Sequence, residues 1–193
     1  DQAEIEATRA RMGLDRPLWE QFGRFVANAA QGDLGRSFVH AQPALPLILE
    51  RMPATMELAV TAMILAIVIG IPLGMLAGLR PERPSGKAIM AGSILGFSLP
   101  NFWQGLMLIM IFAVILGWLP AGGRGPTVEI LGIRTSLLTW DGLRHVILPA
   151  LNLALFKTAL VIRLTRAGTR EVALQDYVRF ARAKGLSERR VVL

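Results

Sequence analysis

The chain of 193 residues contains no cysteine. That excludes disulfides, thiolate metal ligation and a cysteine nucleophile, and leaves the compartment open. Histidine is almost as scarce. His40 and His145 are the only two, and neither belongs to a ligand spacing such as His-Glu-x-x-His. The nucleophile elbow Gly-x-Ser-x-Gly and the phosphate loop Gly-x-x-x-x-Gly-Lys-Ser/Thr are also missing. Gly122-Gly-Arg-Gly125 has no strand–helix frame around it and reads as a loop. No catalytic residue and no metal ligand is therefore assigned, and the chain has no visible means of hydrolysing ATP. An intramembrane enzyme would need a nucleophile–base pair, and none is visible. Charge is the third shortage: only 18% of residues are Asp, Glu, Lys or Arg, against about 25% in a typical soluble domain.

The missing charge is withdrawn from particular stretches. Leu58 to Leu79 is an uncharged run of 22 residues, and Ala88 to Gly123 one of 36. A run of about 20 apolar residues crosses a bilayer as a helix. With 53% hydrophobic residues and a mean hydropathy of +0.48, the chain reads as an all-α, polytopic helical membrane protein with about three transmembrane helices. The first span is expected at Pro53–Leu79 and the third at Leu143–Leu164. Between them, Pro100 interrupts a run too long for one upright span. It is read as one long broken span over 87–117, with two short segments as the alternative. Trp118 stands at its far end, where an interfacial aromatic belongs.

The net charge is +7. Residues 163–193 hold eight Arg/Lys against three acids, whereas residues 1–54 hold seven acids and six bases. Such asymmetry beside apolar spans sets orientation and requires no nucleic acid. The basic loop 80–87 and the tail from about 165 to 193 are expected in the cytoplasm, and residues 1–50 and about 118–143 outside. Three spans with an outer N-terminal region predict a further span before the first, and both ends of the chain read as cut.

Several local signals refine this outline. Pro17 suits a first helical position. Leu18, Phe22, Phe25, Val26 and Ala29 follow as one apolar stripe on a short helix that Gly32-Asp33 ends. Pro43 and Pro46 mark an irregular connector toward Pro53. Glu57 is expected in the first turn of the first span, where the helix dipole favours an acid. Ala62, Ala66, Gly70, Gly74 and Gly78 recur at strict i+4 spacing, a small-residue stripe against which another helix can pack closely. Pro72 predicts a kink unless neighbours compensate. The Gly/Pro-rich stretch 119–143 has room for a strand or hairpin around Val128–Ile133. Lys157 lies inside the third span, six residues before Arg163 and roughly 9 Å from it along a helix. It is a candidate for lining a solute path or for snorkelling to the interface. Asn101 and Asn152 pose the same question, with helix–helix hydrogen bonding as the alternative.

The tail Arg163-Leu-Thr-Arg-Ala-Gly-Thr-Arg-Glu-Val-Ala-Leu-Gln-Asp-Tyr-Val-Arg-Phe-Ala-Arg-Ala-Lys-Gly-Leu-Ser-Glu-Arg-Arg190 carries the sharpest motif. Arg179-Phe-Ala-Arg-Ala-Lys-Gly185 resembles the EAA coupling loop of ABC importer permeases, in the variant of the dipeptide/oligopeptide/nickel importers. Phe180 stands where that variant carries Thr or Ala. Gly13-Leu-Asp-Arg-Pro-Leu18, Gly32-Asp-Leu-Gly-Arg-Ser37, Arg51-Met-Pro-Ala-Thr-Met-Glu-Leu-Ala59, Ser98-Leu-Pro-Asn-Phe-Trp103, Trp118-Leu-Pro-Ala-Gly-Gly123 and Ile147-Leu-Pro-Ala-Leu151 are similar to the same family, in order. Lys157 departs from the uncharged residue expected at its place.

The resemblance implies the type I importer permease fold. Residues 1–50 would be an extracytoplasmic loop region, and 51–193 a permease domain that the chain leaves within the coupling loop. It implies an importer of di/oligopeptides or a related solute such as nickel or glutathione. The partners would be a second permease subunit, two ATP-binding subunits holding ATP and Mg, an extracytoplasmic solute-binding protein and the bilayer of the bacterial inner membrane. The chain itself would bind no cofactor. Tyr177, Val178, Arg179, Ala181, Arg182, Ala183, Lys184, Gly185 and Leu186 would meet the ATPase, with Tyr177 and Leu186 as apolar anchors and Gly185 as a helix stop or point of close approach. Ser98, Pro100, Asn101, Asn152 and Lys157 are the candidates for the solute path. The competing reading of the same residues is an ATP-independent channel or membrane scaffold whose basic tail binds lipid.

Overall fold

The computed structural model describes residues 6, 9, 13, 15–37, 39–187, 190 and 191. Leu14 of the first family-like string, and Glu188 and Arg189 of the tail, lie outside the described residues. The chain divides into two units, Asp1–Pro53 and Ala54–Leu193.

In the first unit, α1 (Leu18–Ala30) follows Pro17 and carries the expected apolar stripe. Its end is a Schellman turn: Gly32, at φ 84°, donates to Ala29 O, and the Asp33 N–H returns to Asn28 O. None of the described residues of this unit is buried.

The long helix α2 runs from Ala44 to Leu79, 36 residues. This corrects the connector expected between Pro43 and Pro53. Pro46 falls in the first turn, where a backbone N–H has no intrahelical acceptor, so its missing donor costs nothing there. The helix also continues through Pro53 and Pro72 as one element. Glu57 is consequently well inside the helix, and the expectation of a first-turn dipole partner fails.

The second unit is organised by the small-residue stripe of α2. Ala62, Ala66, Gly70, Gly74 and Gly78 are all buried, and they face α5 (Trp140–Ala173). A Cβ on Gly70 would sit 2.7 Å from Val161 Cγ1, on Gly74 2.6 Å from Thr165 Cβ, and on Gly78 2.8 Å from Thr169 Cβ. The partner positions also advance by four. The numbers rise together along both helices, so α2 and α5 run parallel. Ala62 packs with Ala150 and Ala154 further up the same seam.

Parallel neighbours need an intervening segment that returns the chain to the starting end. That segment comprises α3 (Pro84–Ser98), α4 (Asn101–Leu108) and a π-helical stretch, Ile109–Ile115. It bends by 104° at its break, where Pro100 lacks an N–H to continue the ladder. Gln104 repairs the break: its Nε2 donates to both Gly96 O and Leu99 O at 2.9 Å, with the side chain buried. Among the described residues two helices are long and apolar enough to cross a membrane, three if the bent pair counts as one.

Past Gly117 the chain forms a two-stranded antiparallel hairpin, β1 (Val128–Ile130) and β2 (Ile133–Thr135), closed by Leu131-Gly132. Then α5 begins at Trp140, capped by Thr139, whose Oγ1 accepts from the Gly142 N–H. It continues to Ala173, nine residues beyond the expected end at Leu164, because Arg163, Arg166 and Arg170 mark a change of solvent and not a helix stop. The last element, α6 (Asp176–Ala183), follows after a two-residue break.

The seam sets a testable size limit. Replacing Gly74 by Ala would press a methyl against Thr165 and against Ile162 O, which is backbone and cannot yield. The expected cost is about 1–3 kcal/mol. Gly92→Ala, with nothing within 4 Å of the new Cβ, should change stability by less than about 1 kcal/mol. Thermal denaturation of the purified variants in detergent checks the difference.

Candidate functional site: the two ends of α5 and the break beside it

At the N-terminal end of α5, Glu57 gathers a polar network. Ser136 Oγ donates to Glu57 Oε2 at 2.5 Å, and the Ser136 N–H donates to both carboxylate oxygens at 3.2 and 3.3 Å. Arg124 Nη2 approaches Oε1 at 3.3 Å and donates to Arg134 O at 2.8 Å. Ser136 is fully buried. Thr139 Oγ1 donates to Pro126 O at 2.9 Å, and Arg144 donates to Trp118 O at 2.7 Å. Glycine allows the crossing beneath: a Cβ on Gly125 would lie 2.7 Å from Gly142 Cα. Residues 118–139 are thus fastened to α5 at several points and to α2 through Glu57. Sequence reasoning missed Ser136 and Arg124, since nothing local ties them to a residue so far back in the chain.

Midway, the break of α3–α4 meets α5. Ser98, Pro100 and Asn101 lie together at the break and are exposed, Ser98 Oγ being spent on Ile94 O. The ring of Phe97 stacks on Phe156 at 4.8 Å, and the Arg163 guanidinium lies over the Phe97 ring at 4.8 Å. Asn152 packs on Gly105, where a Cβ would stand 3.2 Å from Nδ2, and its buried Oδ1 has no hydrogen-bond partner. Lys157 is half-buried and, among the described residues, has neither hydrogen bond nor ion pair. Gln104 also went unnoticed in sequence. The signal was available: an amide four residues after a helix-breaking proline is placed to take up the freed carbonyls.

At the C-terminal end, α6 leans on α5 through Val178, which is 6% exposed. A cleft of 390 Å³ lined by Met75, Leu79, Thr169, Val172, Val178 and Arg182 adjoins it. Tyr177 and Phe180, at i and i+3, remain 63% and 61% exposed, and Leu186 is exposed as well. Arg179 pairs with Asp176 at 3.8 Å, and Lys184 lies over the Phe180 ring at 4.5 Å. Gly185, at φ 81°, ends the helix: its N–H donates to Arg182 O and that of Leu186 to Ala181 O, a second Schellman turn. No atom lies within 4 Å of where its Cβ would be, so the glycine serves the turn and not a close approach within the chain. Phe180, absent from the expected contact set, shares the outward face with Tyr177.

Residues 70–193 match the family model described as the binding-protein-dependent transport system inner membrane component. The chain belongs to that family. Among curated relatives of the family, the chain is similar to the di/tripeptide transport system permease protein DppB of Pseudomonas aeruginosa, at 40% identity over 94% of this chain and 58% of the relative. It is 41% identical to the oligopeptide transport system permease protein AppB of Bacillus subtilis, over 99% of this chain and 59% of the relative. With the glutathione transport system permease protein GsiC of Escherichia coli it shares 38% identity over 100% of this chain and 58% of the relative. The chain therefore spans a little under three fifths of the length of these permeases.

Two outcomes test this geometry. Glu57→Leu should raise hydrogen exchange across residues 119–139, with the Ser136 amide changing most, while amides of the α2–α5 seam keep their protection. Gln104→Leu removes the donor to two part-buried carbonyls, Gly96 O and Leu99 O, at a total of about 1–3 kcal/mol. A midpoint of thermal denaturation equal to that of the unaltered protein would show that the break is satisfied in some other way.

Proposed function

We propose that the chain is the pathway-forming part of a permease subunit in an ATP-driven, binding-protein-dependent importer of di/oligopeptides, glutathione or a related solute. The observation that carries this reading is the build of α6. It is a short amphipathic helix seated on α5 by one buried valine, with an aromatic pair turned outward and a glycine turn at its end, on a chain of the permease family. Such a helix suits docking into a groove on a soluble partner. In this reading ATP and Mg are held by two partner ATP-binding subunits. A second permease subunit completes the pathway, and a solute-binding protein delivers solute from outside.

Residues 1–50 and about 118–143 would then lie outside, and 80–87 and 165–193 in the cytoplasm, as the charge pattern requires. Tyr177 and residues 179–186 form the ATPase contact, with Phe180 added to the set and Val178 left to seat α6. Ser98, Pro100, Asn101, Asn152 and Lys157 are proposed to border the solute path. Lys157, Asn101 and the free carbonyl oxygen of Asn152 are among its polar groups. ATP-driven closure of the ATPase pair draws on α6, and the permease exchanges two states that make different contacts.

The test uses the whole subunit, expressed with the proteins encoded beside it. Gly185→Val places a β-branched residue at φ 81°, which should unmake the turn. Uptake should fall to background and the co-purifying ATPase should be lost, while the subunit stays in the membrane. Gly185→Asn, whose side chain tolerates that backbone region, should retain both. If no ATPase co-purifies with the unaltered subunit, the importer reading fails and an ATP-independent channel or scaffold takes its place.

A further inference from the structure

Two different faces of α5 make contact within the second unit. One is the seam. Val161, Thr165 and Thr169 stand where a Cβ on Gly70, Gly74 or Gly78 would clash at under 3 Å. Helices packed this closely move as one body. The other face carries Asn152, Phe156 and Arg163, at i, i+4 and i+11, and it meets the broken element. Asn152 packs on Gly105 in α4. Phe156 and Arg163 both hold Phe97 in α3. The two rings stack with 22° between their planes, and the guanidinium lies over the Phe97 ring.

Phe97 sits where a small displacement has a large effect. It is the last residue but one of α3, and Leu99 and Pro100 follow with extended backbone, ψ 136° and 134°. The element bends by 104° there, and a short stretch at an element's end is what takes up φ and ψ changes in a hinge. Gln104 carries the displacement further. Its amide holds Gly96 O, one residue before Phe97, together with Leu99 O, so α4 is tied to the end of α3 that Phe97 moves. In the other direction α5 runs unbroken from Arg163 to Ala173, and α6 follows at Asp176, seated on α5 by Val178. A ring stack and a cation over a ring are individually weak, and both rings are half exposed. The grip on Phe97 is therefore one that a transport cycle is able to release and remake, unlike the seam.

We propose that Phe97 couples the two ends of this arrangement: Phe156 and Arg163 grip its ring, so that displacement of α6 and α5 is delivered to the break at Leu99–Pro100 and on to α4. The inference rests on the importer reading and adds to it a route through named side chains. Phe156 and Arg163 are positioning residues, because they act through Phe97. The rival route runs from α5 through the glycine seam into α2 and bypasses the ring. Proximity alone does not separate the two routes, and a double-variant comparison does.

The experiment uses the complete transporter in nanodiscs, with Asn101→Cys as a reporter beside the break in a chain that has no cysteine of its own. The rate of labelling by a water-soluble maleimide is read on this subunit after separation, first without nucleotide and then after trapping with ATP and vanadate. Trapping should change the rate several-fold. Phe97→Leu keeps apolar bulk and removes the ring. It should abolish most of that change, while vanadate arrests ATP hydrolysis as completely as before. Phe97→Tyr keeps the ring and should keep the change. Arg163→Gln should act in the direction of Phe97→Leu, and the two together should add little to Phe97→Leu alone. A full response in Phe97→Leu overturns the inference, and so does an equal loss in Phe97→Leu and Phe97→Tyr, which would make the position a packing site. A reporter that does not respond in the otherwise unaltered subunit, although the ATPase is trapped, overturns it as well. All three results leave the importer reading standing. Should Phe97→Leu fail to assemble, Arg163→Gln at its exposed position decides alone, an unchanged response counting against the inference. If no ATPase co-purifies with the unaltered subunit, the importer reading fails and takes this inference with it.

Discussion

The close approach of α2 and α5 governs the rest of the second unit. Three glycines on one helix meet Val161, Thr165 and Thr169 on the other, with hypothetical Cβ contacts all below 3 Å. No lipid-driven hydrophobic effect holds two helices together within a bilayer, so packing of this closeness is the main attraction available. The direction of the seam matters as much as its closeness. Parallel packing obliges residues 80–139 to travel back along the pair, and this is why the chain needs a third apolar element and why that element may be irregular. Its break is tolerable because Gln104 donates to the Gly96 and Leu99 carbonyls beside it.

How much of this was legible in the sequence depends on the range of the interaction. The i+4 stripe, the break at Pro100, the hairpin near Val128 and the helix-ending glycines at 32 and 185 are all written within a few residues, and each can be read locally. The identity of the seam's partner is not, because Val161, Thr165 and Thr169 look like any helix interior. Glu57 was misread for the same reason. Its neighbours suggested a helix start, whereas its role comes from Ser136 and Arg124, which loop topology alone brings near. Charge also misled about helix length. Arg163, Arg166 and Arg170 indicate where apolar surroundings end, but backbone hydrogen bonding continues until Leu174.

The candidate site shows the same division. Gly185 was readable as a helix stop, and the positive φ and paired turn bonds supply its reason. Tyr177 and Leu186, expected to anchor on a partner, are both exposed, whereas Val178, expected among the same contacts, packs inward. On a helix of eight residues, α6 has room for one inward position per turn, and choosing it requires knowing which side α5 lies on. Once Val178 faces α5, the i, i+3 pair Tyr177 and Phe180 is turned away. The departure of Phe180 from the family pattern thus falls on the outward face, where it changes what a partner meets and not how α6 is seated.

The polar features at the two ends of α5 differ in kind, and the difference bears on how the proposed importer would work. At the Glu57 end, a half-buried carboxylate is met by the Ser136 N–H and hydroxyl and by Arg124, and the glycines beneath admit no slack, so displacement there means breaking charge-assisted bonds in a partly buried place. At the α6 end, one valine and a cleft beside it hold the contact, and the nearby ion pair is exposed and worth little. Between them, the α3–α4 break touches α5 through stacked rings, a guanidinium and an asparagine carbonyl oxygen with no partner. A pull applied at α6 therefore meets its weakest resistance first at α6 itself, next across the break, and last along the α2–α5 seam. Within this unit the break is the surface on which two arrangements of similar energy are easiest to accommodate. It is also where the unpaired Asn152 oxygen is found.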